Sequence, residues 1–523
     1  MRFNKGCDRL FLIVFFLTMI SVPPLVTGFL PKQEISNHDQ RKLAEWPTIR
    51  WSENEWRTFP KKFEAYMNDH IGFRDPLIRI HNFIRVFLFH KSPLQHILLG
   101  KDNWMYIRSE KSLEDYRGLD PFTNQQMHRW KQVLEARNGW LNSQGIHYLF
   151  VVAPDKHTIY PEYMPDYLQK IESKTRLDQL VEYLHQHSFF RIIDLRDALI
   201  QAKKTGLVYY RTDSHWNSIG GFICYEAILS RMARWFPDLM FIDRELFKDL
   251  SSRTAGGGLS LMLRLENWLT EDDHPQRTVK SPRSEKIDFD HNQLSFATAF
   301  HKSDLRAVVF RDSFFSAVEK FLSEHFNPVY YVWKRDATNS SYDHALLKQL
   351  IRENKPHVVI EERVERLMQT LPVLSVEEQF DLSRKQLMIL DLKNGFEGIR
   401  AHQQAEFVPG STDLVIRSLG GDPILIFPEI PFQPEQSVIV RLAVTSPRNT
   451  VFQFFYQTPS STGYREAKSR RFHVIKGYNE LFVALPEKGL TGRLRLDPGN
   501  TVDDYQLHEV EIRTNIFDEP SDG

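Results

Sequence analysis

The chain has 523 residues, 41% of them hydrophobic and 13% aromatic, too long for one ordinary domain and ample for packed cores. Lys plus Arg and Asp plus Glu balance at 67 each, so no basic field recruits nucleic acid and no acidic bias marks a solvating tail. Only Cys7 and Cys224 are present, on either side of an apolar run, which excludes a disulfide framework or a cysteine zinc site.

In chain order, residues 10–30 carry no charged side chain and follow Arg2, Lys5 and Arg9. Such a run is long enough to cross a bilayer of roughly 30 Å as a helix, with its basic end in the cytoplasm. Residues 1–31 are expected to be a signal anchor, an uncleaved transmembrane helix that leaves the bulk of the chain outside the cytoplasm. Pro23 and Pro24, with the small residues at Val26-Thr27-Gly28, make a cleaved signal and a soluble protein the alternative.

Residues 32–122 read as a spacer and helical lead-in, with helical periodicity over 63–90. From about 125 helices and strands alternate: a helix to 143, a strand at 147–152, a helix at 174–187 and a strand at 191–195. The alternation resumes with a helix at 218–235, a strand at 305–310, a helix at 314–324, a strand at 329–333, a helix at 346–353 and a strand at 358–362. This predicts an α/β unit over 123–388, a parallel sheet flanked by helices. Reactive groups in such folds gather beyond the carboxyl ends of the strands.

Residues 240–300 interrupt the pattern and read as an insertion that covers or borders the site. Gly256-Gly257-Gly258 lacks the Lys-Ser/Thr partner of a phosphate loop. Over 389–523 the texture changes to short alternating runs at 413–418, 437–444, 451–456, 471–474, 480–484, 493–496 and 508–513, the spacing of an all-β sandwich. Phe452, Phe454 and Tyr456 share one strand face; core filling is the commoner reading, and stacking on sugar rings in a carbohydrate-binding module is the alternative.

Two stretches carry candidate chemistry, each at the end of an apolar run: Thr212-Asp213-Ser214-His215-Trp216-Asn217 and Phe310-Arg311-Asp312-Ser313-Phe314. Together they supply an acid, a base and a hydroxyl nucleophile, the parts of a serine esterase or acyltransferase. Asp213 is close enough in the chain to orient His215 and stabilise the imidazolium formed when a serine gives up its proton. The structural alternative is helix capping, by Asp312 or Ser313 in one stretch and by Asn217 or Ser218 in the other. A metal site using Asp213, His215 and either His157 or His301 is a further reading, without a third-ligand motif behind it.

Several ordered motifs then converge. Asn68-Asp69-His70-Ile71-Gly72-Phe73-Arg74, Gly100-Lys101-Asp102-Asn103-Trp104-Met105-Tyr106, Ala153-Pro154-Asp155-Lys156 with Tyr160-Pro161-Glu162, and the two stretches above resemble the alginate O-acetyltransferase group of the SGNH hydrolase-like superfamily, the AlgX/AlgJ type, with its DHHW relatives. The resemblance covers about residues 40–370. It implies Ser313 as the acetylated nucleophile, His215 as its base and Asp213 as the orienting carboxylate. Lys156, Tyr160, Arg311, Asn217 and Arg366 are the supporting or substrate-binding candidates. Arg311 stands where many esterases have glycine, which leaves the oxyanion pocket open.

The resemblance implies no cofactor and no metal. It implies an inner-membrane anchored protein with its catalytic part in the periplasm. Its partners would be an exported polysaccharide and a membrane-bound acyltransferase that hands over acetyl groups. A polysaccharide-binding or assembly protein of an export complex, and an acetyl esterase on the same fold, are the competing functions.

Overall fold

The computed structural model describes residues 5–27, 34–36, 41–48, 53–239, 241–289, 292, 294–333, 342–383, 385–392, 398–408, 414–432, 437–459, 463–485 and 487–517. Gly28 of the alternative cleavage site and Asp413, the first residue of an expected strand, lie outside them, as does part of the 32–122 lead-in.

The apolar N-terminus forms the helix Lys5–Thr27, with Pro23 and Pro24 inside it. The expected membrane-crossing helix is corrected here: among the described residues no helix is long and apolar enough to cross a membrane. This 23-residue helix takes in the charged Lys5, Asp8 and Arg9 as well as the two prolines. The lead-in then supplies the helices Glu53–His70 and Arg74–Phe83, the latter continued by a π-helical stretch over Ile84–Leu88.

The central sheet has seven strands. In spatial order they are Ile193–Asp194, His147–Ala153, Val358–Val364, Ala307–Arg311, Val329–Trp333, Phe296–Ala299 and Glu285–Ile287. The first five are mutually parallel. Val358–Val364 is buried along its whole length and Ala307–Arg311 likewise, as expected of strands covered on both faces. Apolar clusters lie on both sides, one around Leu149, Val151 and Val309, the other around Phe150, Val152 and Phe310.

The sheet is mixed, not wholly parallel as the alternation predicts. Phe296–Ala299 runs antiparallel to Val329–Trp333, and Glu285–Ile287 antiparallel to it in turn. Both of these antiparallel strands come from the 240–300 insertion and occupy an otherwise open side of the sheet. Buried Glu324 pins the insertion by accepting from the Arg283 and Ser284 amides.

The expected helix over 314–324 is also broken, into a 3-10 turn Ser313–Ala317, one α turn Glu319–Leu322 and a second 3-10 turn Ser323–His325. Phe314, Phe315, Val318, Phe321 and Leu322 are all buried there. Weak helix formers that must face inward on more than one side follow the core rather than a 3.6-residue period.

After residue 385 two antiparallel sheets pack face to face. One contains Gln386–Asp391, Ala405–Phe407, Leu414–Ser418, Val438–Ser446, Gly477–Leu485 and Asp504–Thr514; the other contains Arg400–His402, Ile424–Ile426, Thr450–Gln457, Ser469–Val474 and Thr491–Pro498. Phe452, Phe454 and Tyr456 are at most 2% exposed and fill the space between them, which removes them as a sugar platform. The chain end returns to the α/β part, where Phe517 packs with Val133, Leu374 and Leu382.

Candidate active site

Three adjacent parallel strands, His147–Ala153, Val358–Val364 and Ala307–Arg311, deliver the segments 154–157, 365–366 and 312–313 to one end of the sheet. The loop ahead of the helix Ser218–Met232 closes over that end. Its neck is an antiparallel bridge between Tyr209 and Trp216, which puts residues 212–215 at a tip.

There the two distant stretches meet. His215 Nε2 lies 2.7 Å from Ser313 Oγ, and His215 Nδ1 lies 2.6 Å from Asp213 Oδ1. The line Asp–His–Ser is continuous, with His215 and Ser313 half-buried and open to solvent on one side. Asp213 Oδ1 also accepts from the His215 amide at 3.0 Å, and Oδ2 from the Gly258 amide at 2.6 Å. Burial alone would push this carboxyl up, but the hydrogen bonds from His215 and Gly258 and the charge of His215 hold it well below the usual carboxylate range. Asp213 is therefore an anion that fixes which imidazole nitrogen carries the proton.

The serine turn is held separately. Asp312 caps the 3-10 turn by accepting from the Phe314 amide at 2.9 Å, and its other oxygen accepts from the Val364 amide at 2.9 Å. Capping and chemistry thus divide between neighbours: Asp312 caps, and Ser313 Oγ points at the imidazole. The Asp312 amide donates to Glu362 at 3.0 Å; burial and the Asp312 charge push the Glu362 carboxyl well up. Trp216 joins the two halves, since Nε1 donates to the Phe314 carbonyl at 2.7 Å and the Phe314 ring packs 4.7 Å from the His215 ring.

The supporting candidates divide. Lys156 lies behind the acid loop, 2% exposed, with Nζ donating to the carbonyls of Tyr210, Arg211 and Asp213. Burial pulls its ammonium down to about 7, against the Asp213 and Glu271 charges. Arg366 ties strand ends together, donating to Asp155 at 2.7 Å and to Glu110 at 3.2 Å with its guanidinium 5.5 Å from the Phe314 ring.

Tyr160 is buried in packing: its hydroxyl accepts from the Val208 amide at 3.0 Å, and burial raises it to about 12. Asn217 is the cap of the following helix, accepting from the Ile219 and Gly220 amides. Arg311 points away from the serine, paired with Glu319 at 2.8 Å and stacked 4.6 Å from Trp333. The metal reading does not hold together: His157 is buried beside Tyr106 and Tyr116, while His301 pairs with Glu285 at the exposed edge. Among the described residues no group of three or more His, Cys, Asp or Glu is placed to hold a metal ion.

The glycine run has a job that its sequence did not disclose. The Gly257 amide donates to Thr212 Oγ1 at 2.7 Å, and a Cβ on Gly257 would lie 2.6 Å from Asp213 Cβ. Glu271, from the same insertion, accepts from the Arg211 and Thr212 amides. The insertion therefore buttresses the acid loop from behind, and only the spacing of the glycines hinted at a close approach.

The SGNH hydrolase-like domain model of the acetyltransferase AlgX matches residues 97–365, just over half of the chain. The chain belongs to that family. It is 25% identical over 195 residues to a probable alginate O-acetylase AlgJ of Pseudomonas putida, covering 36% of this chain and 48% of that protein. The chain spans about half the length of the first curated relatives it matches. Among solved structures, the O-acetyltransferase domain of Pseudomonas putida AlgJ aligns at 19% identity over 53% of this chain and 94% of that one, TM-score 0.36. Pseudomonas aeruginosa AlgX aligns at 11% identity over 80% and 94%, TM-score 0.41.

Proposed function

We propose that this protein is a serine-dependent O-acetyltransferase that acts outside the cytoplasm on an exported polysaccharide. The observation that carries the reading is the unbroken hydrogen-bond line Asp213–His215–Ser313, at 2.6 and 2.7 Å. Ser313 Oγ attacks the acetyl carbonyl of a donor while His215 Nε2 takes its proton. The same imidazole returns that proton to the leaving group, giving an acetyl-serine. A sugar hydroxyl then attacks the acyl-enzyme, its proton passing to Nε2, and collapse of the tetrahedral intermediate releases the acetylated polymer as Nε2 returns that proton to Ser313 Oγ. A base so placed supplies roughly two to four powers of ten. Asp213 contributes by stabilising the imidazolium at each half-reaction.

Family membership and the alginate O-acetylase names of the relatives support acetyl transfer to a polysaccharide. Activated acetyl is made in the cytoplasm, so the reading includes a membrane-bound acyltransferase that delivers it, and a tether holding this chain at the periplasmic face of the inner membrane through its N-terminal segment. Intact-mass measurement after exposure to an acetyl donor tests the chemistry: an acetyl adduct on Ser313, absent from Ser313→Ala, is expected. Polymer acetylation left unchanged in Ser313→Ala, His215→Ala and Asp213→Ala would overturn it.

A further inference from the structure

The helix Arg74–Phe83 and its continuation Ile84–Leu88 present two opposite faces. One face is used internally: Asn82 is buried with its side-chain amide donating to the Leu263 carbonyl at 2.8 Å, and Val86 is 7% exposed. The other is bare. Phe73, Leu77, Ile80, Ile84 and Leu88, spaced four, three, four and four apart, form one stripe and are between 41% and 70% exposed. A contiguous exposed apolar stripe marks an interaction or membrane site, and no described element covers this face.

Two independent observations indicate what covers it. Residues 73–91 carry Arg74, Arg79, Arg85 and Lys91 against one acid, Asp75, itself paired with Arg264, and Trp268, 48% exposed, stands beside Phe83 at 5.6 Å with the Arg79 guanidinium 6.0 Å away. A segment of net positive charge that carries an exposed apolar stripe, with a half-exposed tryptophan beside the helix, suits the interface of an anionic bilayer. The stripe also adjoins the apolar helix Lys5–Thr27: the Gly72 amide donates to the Pro23 carbonyl at 3.2 Å and to Thr27 Oγ1 at 2.9 Å. A side chain at Gly72 would lie 2.6 Å from that carbonyl. Residues such as Ile13 and Phe16 on that helix are 56% and 62% exposed, so two bare apolar surfaces join at Gly72.

We infer that the stripe from Phe73 to Leu88 lies flat in the headgroup region of an anionic lipid bilayer, a second membrane contact that fixes how the catalytic body sits on the membrane. This rests on the reading that the N-terminal segment tethers the chain. The test uses the full chain with Cys7→Ser, Cys224 being buried, and single cysteines at Phe16, Ile80, Ile84 or Tyr478 carrying a polarity-sensitive fluorophore. The proteins are reconstituted in phosphatidylglycerol/phosphatidylethanolamine vesicles, with and without nitroxide-labelled lipid. Blue-shifted emission that nitroxide quenches is expected at 16, 80 and 84, and none at 478, which is exposed on the C-terminal sandwich. Quenching at 16 but not at 80 or 84 overturns the inference and leaves the tether standing. No quenching at 16, 80 or 84 overturns both. Protection of 80 and 84 in native membranes but not in these vesicles assigns the stripe to a protein partner and overturns the lipid contact.

Discussion

Substituting alanine at Gly257 and at Gly258 measures how finely the insertion sets the acid. A Cβ on Gly257 would stand 2.6 Å from Asp213 Cβ, and one on Gly258 2.9 Å from Asp213 Oδ2, where ordinary contact begins at 3.4 Å. Relief requires movement of about 0.8 Å in the first case and about 0.5 Å in the second, by subtraction from that contact distance, against a loop already held from the other side by Lys156. Misplacement of a catalytic group by about 1 Å costs roughly a hundredfold. Gly257→Ala is therefore expected to lower kcat by about 10²-fold and Gly258→Ala by about tenfold, with KM little changed and an overpacking cost of about 1–3 kcal/mol.

The assay is steady-state hydrolysis of a small acetyl ester, with thermal unfolding on the same samples to establish that each variant is folded. Gly206→Ala is the control, because nothing lies within 4 Å of its added Cβ. A folded Gly257→Ala enzyme with wild-type kcat would refute the idea that this backbone approach positions Asp213. So would equal losses in all three variants.

Three further outcomes follow from the same geometry. Lys156→Met removes the ammonium donor from three part-buried carbonyls, of which that of Arg211 keeps the Met105 amide; stability in urea should fall by about 2 kcal/mol, and kcat should fall with it because one of the three belongs to Asp213. Trp216→Phe keeps the ring but loses the bond to the Phe314 carbonyl, with an expected stability loss of about 1 kcal/mol by denaturant titration and a lower kcat at unchanged KM. Burial holds His157 at about 4 in the folded protein against 6.5 when unfolded. The unfolded chain then binds the extra proton first, so this stability is present above pH 6.5 and is lost as pH falls toward 4. Urea titrations at pH 7 and 5 should show the loss, and His157→Leu should flatten it.

What could be read in advance follows physical locality. The strand at 147–152 and the helix at 218–235 are visible because each is long and carries its own period. Asp213 and His215 are visible because they lie two residues apart and Ser313 because it ends an apolar run, but their meeting depends on packing across about a hundred residues. One condition of it is Gly221, whose added Cβ would lie 2.5 Å from Ala317 Cβ in the serine turn. Elements without a local signature were missed. Glu271 looks like any surface acid until its two amide donors are seen, and Phe296–Ala299 is too short to announce itself beside charged neighbours. Asn217 and Tyr160, which sit inside motif-like stretches, turn out to be a cap and a packing residue. Proximity to a motif in the chain did not separate scaffold from chemistry; a partner's direction did.

Among the described residues the strand Asp504–Thr514 is the most enclosed in its sheet, pairing with Val438–Ser446 along one side and with Leu414–Ser418 and Gln386–Asp391 along the other. Without this rung three strands would each lose the partner on one edge, so the sheet would come apart from its centre rather than fray from a side.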